Sequence, residues 1–277
     1  MQHETSELSG RGGVPLFLRA WRPEGPASGV LVIAHGLGEH GGRYGELVER
    51  CLARGLAVYA ADHRGHGRSG GPRAQVGRFA WLVEDLDTVL RRAAAAHPGA
   101  RRFLLGHSMG GAIALTWTLD HPGQLDGLIL SGPAIAPPSA VSPVTVAVVR
   151  LMSAIAPGVG AIKLPPSDLS RDPAVVRAYE QDPLVLHAAV PARTLAELLG
   201  AMNSLPARAA ALREPVLVLQ GTGDRLVMHA DVKPVFEALG SADKTVKVYR
   251  GLYHEVLNEP ERGQVFADLE AWLDARL

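Results

Sequence analysis

The sequence predicts an α/β fold with a mostly parallel central sheet, and two observations support this prediction. Short apolar runs alternate with longer amphipathic segments, and the apolar runs are continuous rather than interrupted by polar residues. Continuous runs are typical of parallel strands that helices cover on both faces and that right-handed crossovers connect. With 277 residues, of which 47% are hydrophobic, one domain can bury a sizeable core. We therefore expect a single domain over residues 1–277.

The first hundred residues predict three strands and two helices. Val14–Trp21 is an early strand, and the apolar runs Val30–Ala34 and Leu56–Ala61 are buried strands bounded by Gly and Asp. Tyr44–Arg54 lies between the two buried strands and carries leucine and valine at helical spacing. Phe79–Ala96 is a second helix, because a His-Pro-Gly sequence ends its periodic pattern.

The same alternation continues after residue 100. Phe103–Leu105 is a buried strand, Ala112–Leu119 a helix and Leu125–Leu130 the next strand. After a long interruption the pattern resumes with the strand Val216–Leu219, a helix near Val232–Leu239, the strand Thr245–Tyr249 and a last helix, Pro260–Arg276.

The alternation stops between Ala134 and Arg213, where a structureless loop of such length would be unusual. We predict a helical cap insertion over residues 134–213, because insertions after the carboxyl end of a strand lie where α/β proteins bind ligands. Its apolar face would line a pocket or touch lipid, and an insertion simply packed on the core is the alternative. Two groups have helical spacing: Val144, Val148, Leu151, Met152 and Ile155, then Leu195, Leu198, Leu199 and Met202.

The first of these groups is too short to cross a membrane. Pro143, Arg150 and the Pro157-Gly158 break leave about 13 uninterrupted residues, whereas a spanning helix needs about 20. The first eight residues carry Glu4 and Glu7 and no apolar run, so we expect no secretory signal. The predicted location is therefore cytoplasmic, with peripheral membrane contact through the cap as an open alternative.

Charge and cysteine content exclude several classes of protein. The 28 Lys and Arg residues balance 28 Asp and Glu residues, and no block of like charges occurs, so we predict no nucleic-acid partner. The single cysteine excludes an internal disulfide and a Cys-x-x-Cys pair. Because Cys51 lies on an amphipathic segment beside Leu52, we interpret it as a small core residue.

Gly106-His107-Ser108-Met109-Gly110 fits the G-x-S-x-G nucleophile elbow. A predicted strand precedes it and a predicted helix follows it, which is the context that the motif requires. Glycine is needed because a strand that turns directly into a helix brings the two backbones close together. We therefore predict Ser108 as a nucleophile, with its hydroxyl exposed at the sheet edge and the amino end of a helix behind it.

A serine hydroxyl needs a base, and the base needs a group that orients it. After a nucleophile elbow the expected chain order is Ser, then Asp or Glu, then His. Asp224 and His254 follow the last two predicted strands in turn, so both lie at the same sheet edge as Ser108. His229 and Asp231 are rivals, but they lie at the start of the next predicted helix. The predicted catalytic residues are Ser108, Asp224 and His254.

The tetrahedral intermediate of acyl transfer also needs two hydrogen-bond donors. One is predicted to be the backbone N–H of Met109, directly after the nucleophile. The other is predicted to be the N–H of Leu37, in the loop His35–His40 after an early strand. Because main-chain groups supply these bonds, replacing either side chain should matter less than replacing a triad residue.

The same loop presents a competing motif. Gly36, Gly38 and Gly41 spell G-x-G-x-x-G, and Asp62 ends the next strand, as in a dinucleotide-binding fingerprint. Glu39 argues against this interpretation, because a carboxylate in the cradle would repel pyrophosphate. We predict no cofactor.

Asp62, His63 and His66 could be proposed as metal ligands. Arg64 and Arg68 lie in the same segment and would repel a cation, which favours a hydrogen-bonded loop. We predict no metal.

These motifs together resemble the α/β-hydrolase fold and, more closely, the monoacylglycerol lipase family, from about Leu16 to Leu277. The segments that carry the resemblance are His35–His40 with Arg43-Tyr44, Asp62–Ser69, Gly106–Gly111, Gly223-Asp224 and Tyr253-His254-Glu255. The resemblance implies the same triad and oxyanion donors. It also implies that Glu39 and Arg43 form a polar pocket for glycerol hydroxyls near His254; an ion pair at a helix start is a compatible interpretation.

The resemblance implies hydrolysis of a monoacylglycerol, a small lipid ester, to a fatty acid and glycerol. A broad carboxylesterase or a lysophospholipase is the nearest alternative within the same chemistry. A non-catalytic receptor that uses a hydrolase pocket to bind a ligand is an alternative from another class.

Overall fold

The structure is a computed structural model that describes residues 2–277, so Met1 lies outside the described residues. Ten strands are present in it. They are β1 (Gln2–Ser9), β2 (Pro15–Arg22), β3 (Gly29–Ala34), β4 (Leu56–Ala61), β5 (Arg101–His107), β6 (Gly127–Ser131), β7 (Gly160–Ile162), β8 (Val190–Pro191), β9 (Val216–Gly221) and β10 (Lys244–Tyr249). Eight of them form one sheet in the order β1-β2-β4-β3-β5-β6-β9-β10, and β7 pairs with β8.

The large sheet is parallel from β4 to β10 and antiparallel at one end. β3, the fourth strand in the order, pairs with β4 and β5 in parallel register, whereas β2 pairs antiparallel with both β1 and β4. The predicted mostly parallel α/β sheet is therefore confirmed. The sequence did not predict β1, because it is polar and lies exposed on the edge of the sheet.

Residues 2–277 contain eight α-helices. They are α1 (Gly45–Leu52), α2 (Phe79–Ala96), α3 (Met109–Asp120), α4 (Pro143–Ile155), α5 (Pro173–Gln181), α6 (Ala192–Arg208), α7 (His229–Ala238) and α8 (Arg262–Asp274). Side-chain hydrogen bonds cap the starts of α4 and α5. At α5, for example, the Asp172 carboxylate accepts a hydrogen bond from the N–H of Ala174, and Pro173 occupies the first turn.

Alternate residues of the central strands pack into two cores, one on each face of the sheet. On β3, Val30 and Val32 contact the core under α2 and α3, whereas Leu31 and Ile33 contact the core under α1 and α8. Both faces are covered, which explains why the strand sequences are continuously apolar. The carboxyl ends of the parallel strands thus lie at one edge of a rigid sheet.

The interrupted region between β6 and β9 contains α4, α5 and α6. α6 contributes Leu198, Leu199, Met202 and Leu205 to the core beside α3. α4 behaves differently, because most of its apolar residues face away from the protein. The exposed fractions are 72% for Val144, 50% for Val148, 60% for Leu151 and 75% for Ile155. No helix within residues 2–277 is long and apolar enough to cross a membrane. The cap limits 134–213 stay a prediction.

Candidate active site

Ser108 lies between the end of β5 and the start of α3 in a backbone conformation that is rare for residues other than glycine. Its φ is +53° and its ψ is −119°. Such strain costs about 1–3 kcal/mol and persists only where the surroundings fix it. Here the Ser108 N–H donates to the carbonyl of Ser131 at 3.0 Å, and the Ser108 carbonyl accepts from Gly111 at 2.9 Å. The predicted elbow geometry is present.

Two glycines of the motif allow the close approach of backbones around Ser108. A Cβ atom on Gly106 would lie 2.4 Å from the carbonyl oxygen of Gly110. A Cβ atom on Gly110 would lie 2.0 Å from the carbonyl oxygen of Ala34. These obstacles are backbone atoms, so no side-chain rotation would remove them. The motif therefore reflects crowding between β3, β5 and α3.

Asp224 and His254 form a buried pair at the ends of β9 and β10. His254 Nδ1 and Asp224 Oδ2 are 2.8 Å apart, and the side chains are 3% and 0% exposed. Asp224 Oδ1 accepts hydrogen bonds from the N–H groups of Leu226 at 2.9 Å and Val227 at 2.8 Å. These contacts fix the carboxylate, so Nδ1 of the imidazole carries the proton and Nε2 remains an acceptor.

The electrostatics of the pair agree with that arrangement. Burial raises the pKa of Asp224, but the His254 imidazole and the backbone N–H donors outweigh it and leave this pKa below its usual value. Burial lowers the pKa of His254, yet the Asp224 carboxylate outweighs it and leaves this pKa above its usual value. The imidazole is thus a stronger base than an isolated histidine.

The structure brings Ser108 to the same sheet edge as this pair. Gly132 follows the residue that binds the Ser108 N–H, and a Cβ on it would lie 3.1 Å from His254 Nδ1. His107, the neighbour of Ser108, has its ring centroid 4.8 Å from that of His254. Within residues 2–277, the Ser108 hydroxyl makes no hydrogen bond to the imidazole; such contacts often tighten only when a substrate binds.

The loop His35–His40 lies against the elbow. A Cβ on Gly36 would lie 3.3 Å from the Cβ of Ser108. The Leu37 N–H donates to no other group among residues 2–277. Met109 begins α3, and its N–H is therefore outside the hydrogen-bond ladder of that helix. Ser108 is thus followed directly by Met109 and lies against the loop that carries Leu37; the oxyanion role of the two N–H groups stays a prediction.

A buried ionic cluster adjoins these residues. Arg43 Nη1 donates to Glu39 at 2.8 Å and to Glu255 at 2.6 Å, and Tyr44 donates to Glu39 at 2.8 Å. Burial raises the pKa of both carboxyl groups, but the Arg43 charge outweighs it and leaves each pKa below its usual value. The predicted ion pair of Glu39 and Arg43 is present, and Glu255 makes it a three-residue cluster.

Sequence reasoning assigned no role to several residues around this cluster. Glu255 was noticed only as part of the His254 motif, and Tyr179 of α5 belongs to no motif. The Tyr179 ring lies 4.9 Å from the Arg43 guanidinium carbon. A cavity of about 40 Å³ adjoins the cluster, with His107 and Ser131 among its lining residues. Among the described residues, the buried Ser131 hydroxyl has no hydrogen-bond partner.

The two competing motifs have structural explanations. The Gly36 N–H donates to the Glu39 carboxylate at 2.6 Å, so this chain's own carboxylate lies where a dinucleotide would need phosphate. Asp62 Oδ1 accepts from Arg19 at 2.5 Å and from the Gly41 N–H at 2.9 Å, and Oδ2 accepts from the Arg68 N–H at 2.8 Å. That carboxylate therefore holds the loop together. The rival Asp231 accepts a hydrogen bond from the Ser139 N–H at 3.1 Å.

Comparison with known proteins agrees with this geometry. Residues 25–261 match the family model described as serine aminopeptidase, S33. A monoacylglycerol lipase of Mycolicibacterium smegmatis is 45% identical over 98% of this chain and 96% of that protein. The human monoglyceride lipase is 35% identical over 95% of this chain and 88% of that protein.

A solved structure extends the comparison to three dimensions. The crystal structure of Paleococcus ferrophilus monoacylglycerol lipase superposes with a TM-score of 0.83 at 30% identity, over 100% of both chains. The family model, the two relatives and this structure all cover the elbow, the loop after β3 and the loops after β9 and β10. The chain belongs to the monoacylglycerol lipase family of the α/β-hydrolases.

Proposed function

We propose that this protein hydrolyses monoacylglycerols to a fatty acid and glycerol through an acyl-enzyme on Ser108. The observation that carries the proposal is the convergence of a strained serine, a buried Asp224–His254 pair and a buried ionic cluster at one sheet edge. The first two fit a nucleophile and its base. The third is rich in charged hydrogen-bonding groups, which suits a polyol leaving group.

In the acylation half of the reaction, Ser108 Oγ attacks the ester carbonyl carbon while His254 Nε2 takes its proton. Asp224 holds the imidazole in the required tautomer and stabilises its charged form. The N–H groups of Leu37 and Met109 donate to the developing oxyanion, and each such donor contributes about 3 kcal/mol of transition-state stabilisation. When the tetrahedral intermediate collapses, the bond to the glycerol oxygen breaks and His254 returns the proton to that oxygen.

Deacylation repeats these steps with water. His254 Nε2 takes a proton from water as its oxygen attacks the acyl carbon, and the same N–H groups hold the oxyanion. Collapse then breaks the bond to Ser108 Oγ, which recovers its proton from His254. The fatty acid leaves and the serine is free again.

Recognition of the glycerol group is assigned to Glu39 and Arg43, together with Glu255. Each carboxylate has lone pairs beyond those that Arg43 engages, so each can accept from a glycerol hydroxyl. The Ser131 hydroxyl, which has no hydrogen-bond partner within residues 2–277, offers a further polar contact. Two carboxylates against one guanidinium leave the cluster with a net negative charge, which disfavours the phosphate of a lysophospholipid.

A substrate panel tests the proposal. Monoacylglycerols, methyl esters and lysophosphatidylcholines that share one acyl chain should be hydrolysed in that order of kcat/KM. Ser108→Ala should abolish hydrolysis, whereas Ser204→Ala, on the exposed side of α6, should not change it. Activity of Ser108→Ala within a few-fold of wild type would exclude the mechanism. Equal rates on methyl and glycerol esters would favour a broad carboxylesterase.

We also propose that α4 contacts a lipid surface. Val144, Val148, Leu151 and Ile155 form an exposed apolar face in the predicted cap segment, and such faces mark interaction surfaces. This proposal is compatible with a cytoplasmic location, which stays a prediction. The substrate itself partitions into lipid, so docking would bring the site close to it.

Vesicle binding tests the contact. Leu151→Gln with Val144→Gln should weaken cosedimentation with phosphatidylcholine vesicles and slow hydrolysis of vesicle-borne monoacylglycerol. Hydrolysis of a dissolved short-chain ester should not change. Val246→Thr with Val248→Thr is the matched control, because these valines are exposed on the edge strand β10. Unchanged vesicle binding by the α4 variant would refute the contact.

A further inference from the structure

The loop that carries Leu37 is attached to the core at its two ends. The His63 N–H donates to His35 Nε2 at 2.8 Å, and the Gly41 N–H donates to Asp62 Oδ1 at 2.9 Å. Between these points lie Leu37, whose side chain packs against the core, and Gly38, which contacts the segment after α5. The middle of the loop is therefore held partly by the core and partly by the segment after α5.

Gly38 contacts that segment through its carbonyl oxygen. The Leu186 N–H donates to it at 2.7 Å, and the Tyr179 hydroxyl lies 3.5 Å from it. Gly38 has a φ of +78°, and a Cβ on it would lie 3.3 Å from the Cβ of Leu186. The loop and the segment are thus in direct van der Waals and hydrogen-bond contact.

His40 makes a second connection, to Asp182 at the end of α5. His40 Nδ1 accepts a hydrogen bond from the Gly42 N–H at 3.1 Å, so the ring proton is on Nε2. Nε2 donates to Asp182 Oδ2 at 2.8 Å, and Asp182 Oδ1 accepts from the Leu184 N–H at 2.8 Å. The His40 side chain is 8% exposed and that of Asp182 25% exposed, so water competes only partly for this bond.

We propose that Asp182 is a positioning residue for catalysis, which acts through His40 to hold the Leu37 N–H in the oxyanion hole. The inference rests on the proposed function, because the role of Leu37 does. Oxyanion donors act by being fixed in advance where negative charge develops, so a loop that fluctuates loses much of their effect. The segment around Asp182 is consequently part of the catalytic geometry.

The first test separates kcat from KM on a monoacylglycerol. Asp182→Asn keeps the size of the side chain but cannot satisfy both His40 and the Leu184 N–H. We expect kcat to fall about tenfold, less than the 100-fold or more that loss of a donor causes, with KM within about twofold of wild type. His40→Ala should have a similar effect, and the double variant should be no worse than either single variant, because both remove one connection.

The second test measures how tightly the oxyanion hole binds a negatively charged oxygen. A trifluoromethyl ketone adds to the serine and places an oxyanion in the hole, so its affinity should fall by about the same factor as kcat in Asp182→Asn. Asp168→Asn is the matched control, because it breaks an ion pair with Arg225. That ion pair also joins this region to the core, but it does not involve the loop that carries Leu37. Its kcat and ketone affinity should equal those of wild type.

Unchanged kcat and ketone affinity in Asp182→Asn, with Ser108→Ala inactive, would overturn the inference and leave the proposed function standing. A rise in KM alone would also overturn it, because it would assign Asp182 to substrate access. Activity in Ser108→Ala would instead refute the function on which the inference rests. The thermal unfolding midpoint of each variant is measured, and the assays are run well below that temperature. All variants are therefore compared in the folded state.

Discussion

Arg43 and Glu255 are joined by two hydrogen bonds, from Nη1 to Oε1 at 2.6 Å and from Nη2 to Oε2 at 2.9 Å, although 212 positions separate them in the chain. The same guanidinium also binds Glu39 at 2.8 Å. One cation thus pairs with two buried carboxylates next to His254. The pairing connects the loop after β3 to the loop after β10. The proposed chemistry requires a fixed separation between these two loops.

Removal of this cation should be costly. Arg43→Met leaves two buried carboxylates without a counter-charge, and breaking a buried pair on one side costs about 3–5 kcal/mol in free energy of unfolding. Urea unfolding at pH 7 measures this loss. Arg91→Met is the control, because it breaks an exposed pair with Asp87, which contributes about 0–1 kcal/mol.

A triple variant distinguishes charge from packing. If Glu39→Gln and Glu255→Gln are added to Arg43→Met, no buried charge is left uncompensated, and part of the lost stability should return. Equal stability of the single and triple variants would mean that packing of the Arg43 side chain, rather than its charge, holds these loops together.

Catalysis should depend on the protonation of His254. Its pKa lies above the ordinary value of 6.5, and the neutral form is the base, so kcat/KM should fall as the pH decreases through a midpoint above 6.5. Asp224→Asn removes the charge that raises this pKa. We expect the midpoint to move down and kcat to fall about 10,000-fold. A pH–rate profile from pH 5 to 9 checks both, and an unchanged midpoint in Asp224→Asn would contradict the assigned role of its charge.

Sequence reasoning predicted the parts of this protein that depend on local patterns. The central strands were predicted because continuous apolar runs such as Leu56–Ala61 have few alternatives to a doubly covered sheet. The elbow was predicted because the crowding around Ser108 imposes glycine on neighbouring positions, and that requirement is visible as a motif.

What sequence reasoning missed depends on contacts between distant segments. The apolar spacing of α4 predicted a helix correctly, but periodicity alone does not tell whether a face meets protein, lipid or water. Glu255, Tyr179 and Asp182 have neighbours on the loop after β3, and only the three-dimensional arrangement of that loop, α5 and the loop after β10 brings them there. A polar residue without a local motif carries no such information in a single sequence.

Crowding at the elbow predicts that an alanine substitution there is far more destabilising than one at an open glycine position. Gly110→Ala would place a methyl group 2.0 Å from the Ala34 carbonyl oxygen, which cannot move without disrupting the central strand β3. We expect a loss of more than about 4 kcal/mol or no folded protein. Gly200→Ala in α6 meets no atom within 4 Å, so helix propensity should make it about 0.5–1 kcal/mol more stable. Circular dichroism and urea unfolding compare the two, and a folded, stable Gly110→Ala would contradict the crowding.

Acidification should destabilise the fold at pH values well above those at which carboxylates titrate. His35, His63, His66 and His107 are buried, and burial is the main cause that lowers the pKa of each. In the unfolded chain these groups take up protons near pH 6.5, whereas the folded protein resists protonation until the pH is lower. Their contribution to stability is therefore complete above pH 6.5 and is lost as the pH falls below it.

His254 affects the pH dependence of stability in the opposite direction. Its raised pKa adds stability below pH 6.5, and this stability disappears as the pH rises through the pKa of His254 in the folded protein. One such group against four gives a net loss of stability on acidification. We expect the free energy of unfolding in urea to decrease from pH 7 to pH 5. His66→Gln should flatten this dependence, since the buried Nε2 of His66 has no partner among the described residues and glutamine cannot be protonated there. A constant free energy of unfolding between pH 5 and 7 would show that these histidines are not held neutral by the fold.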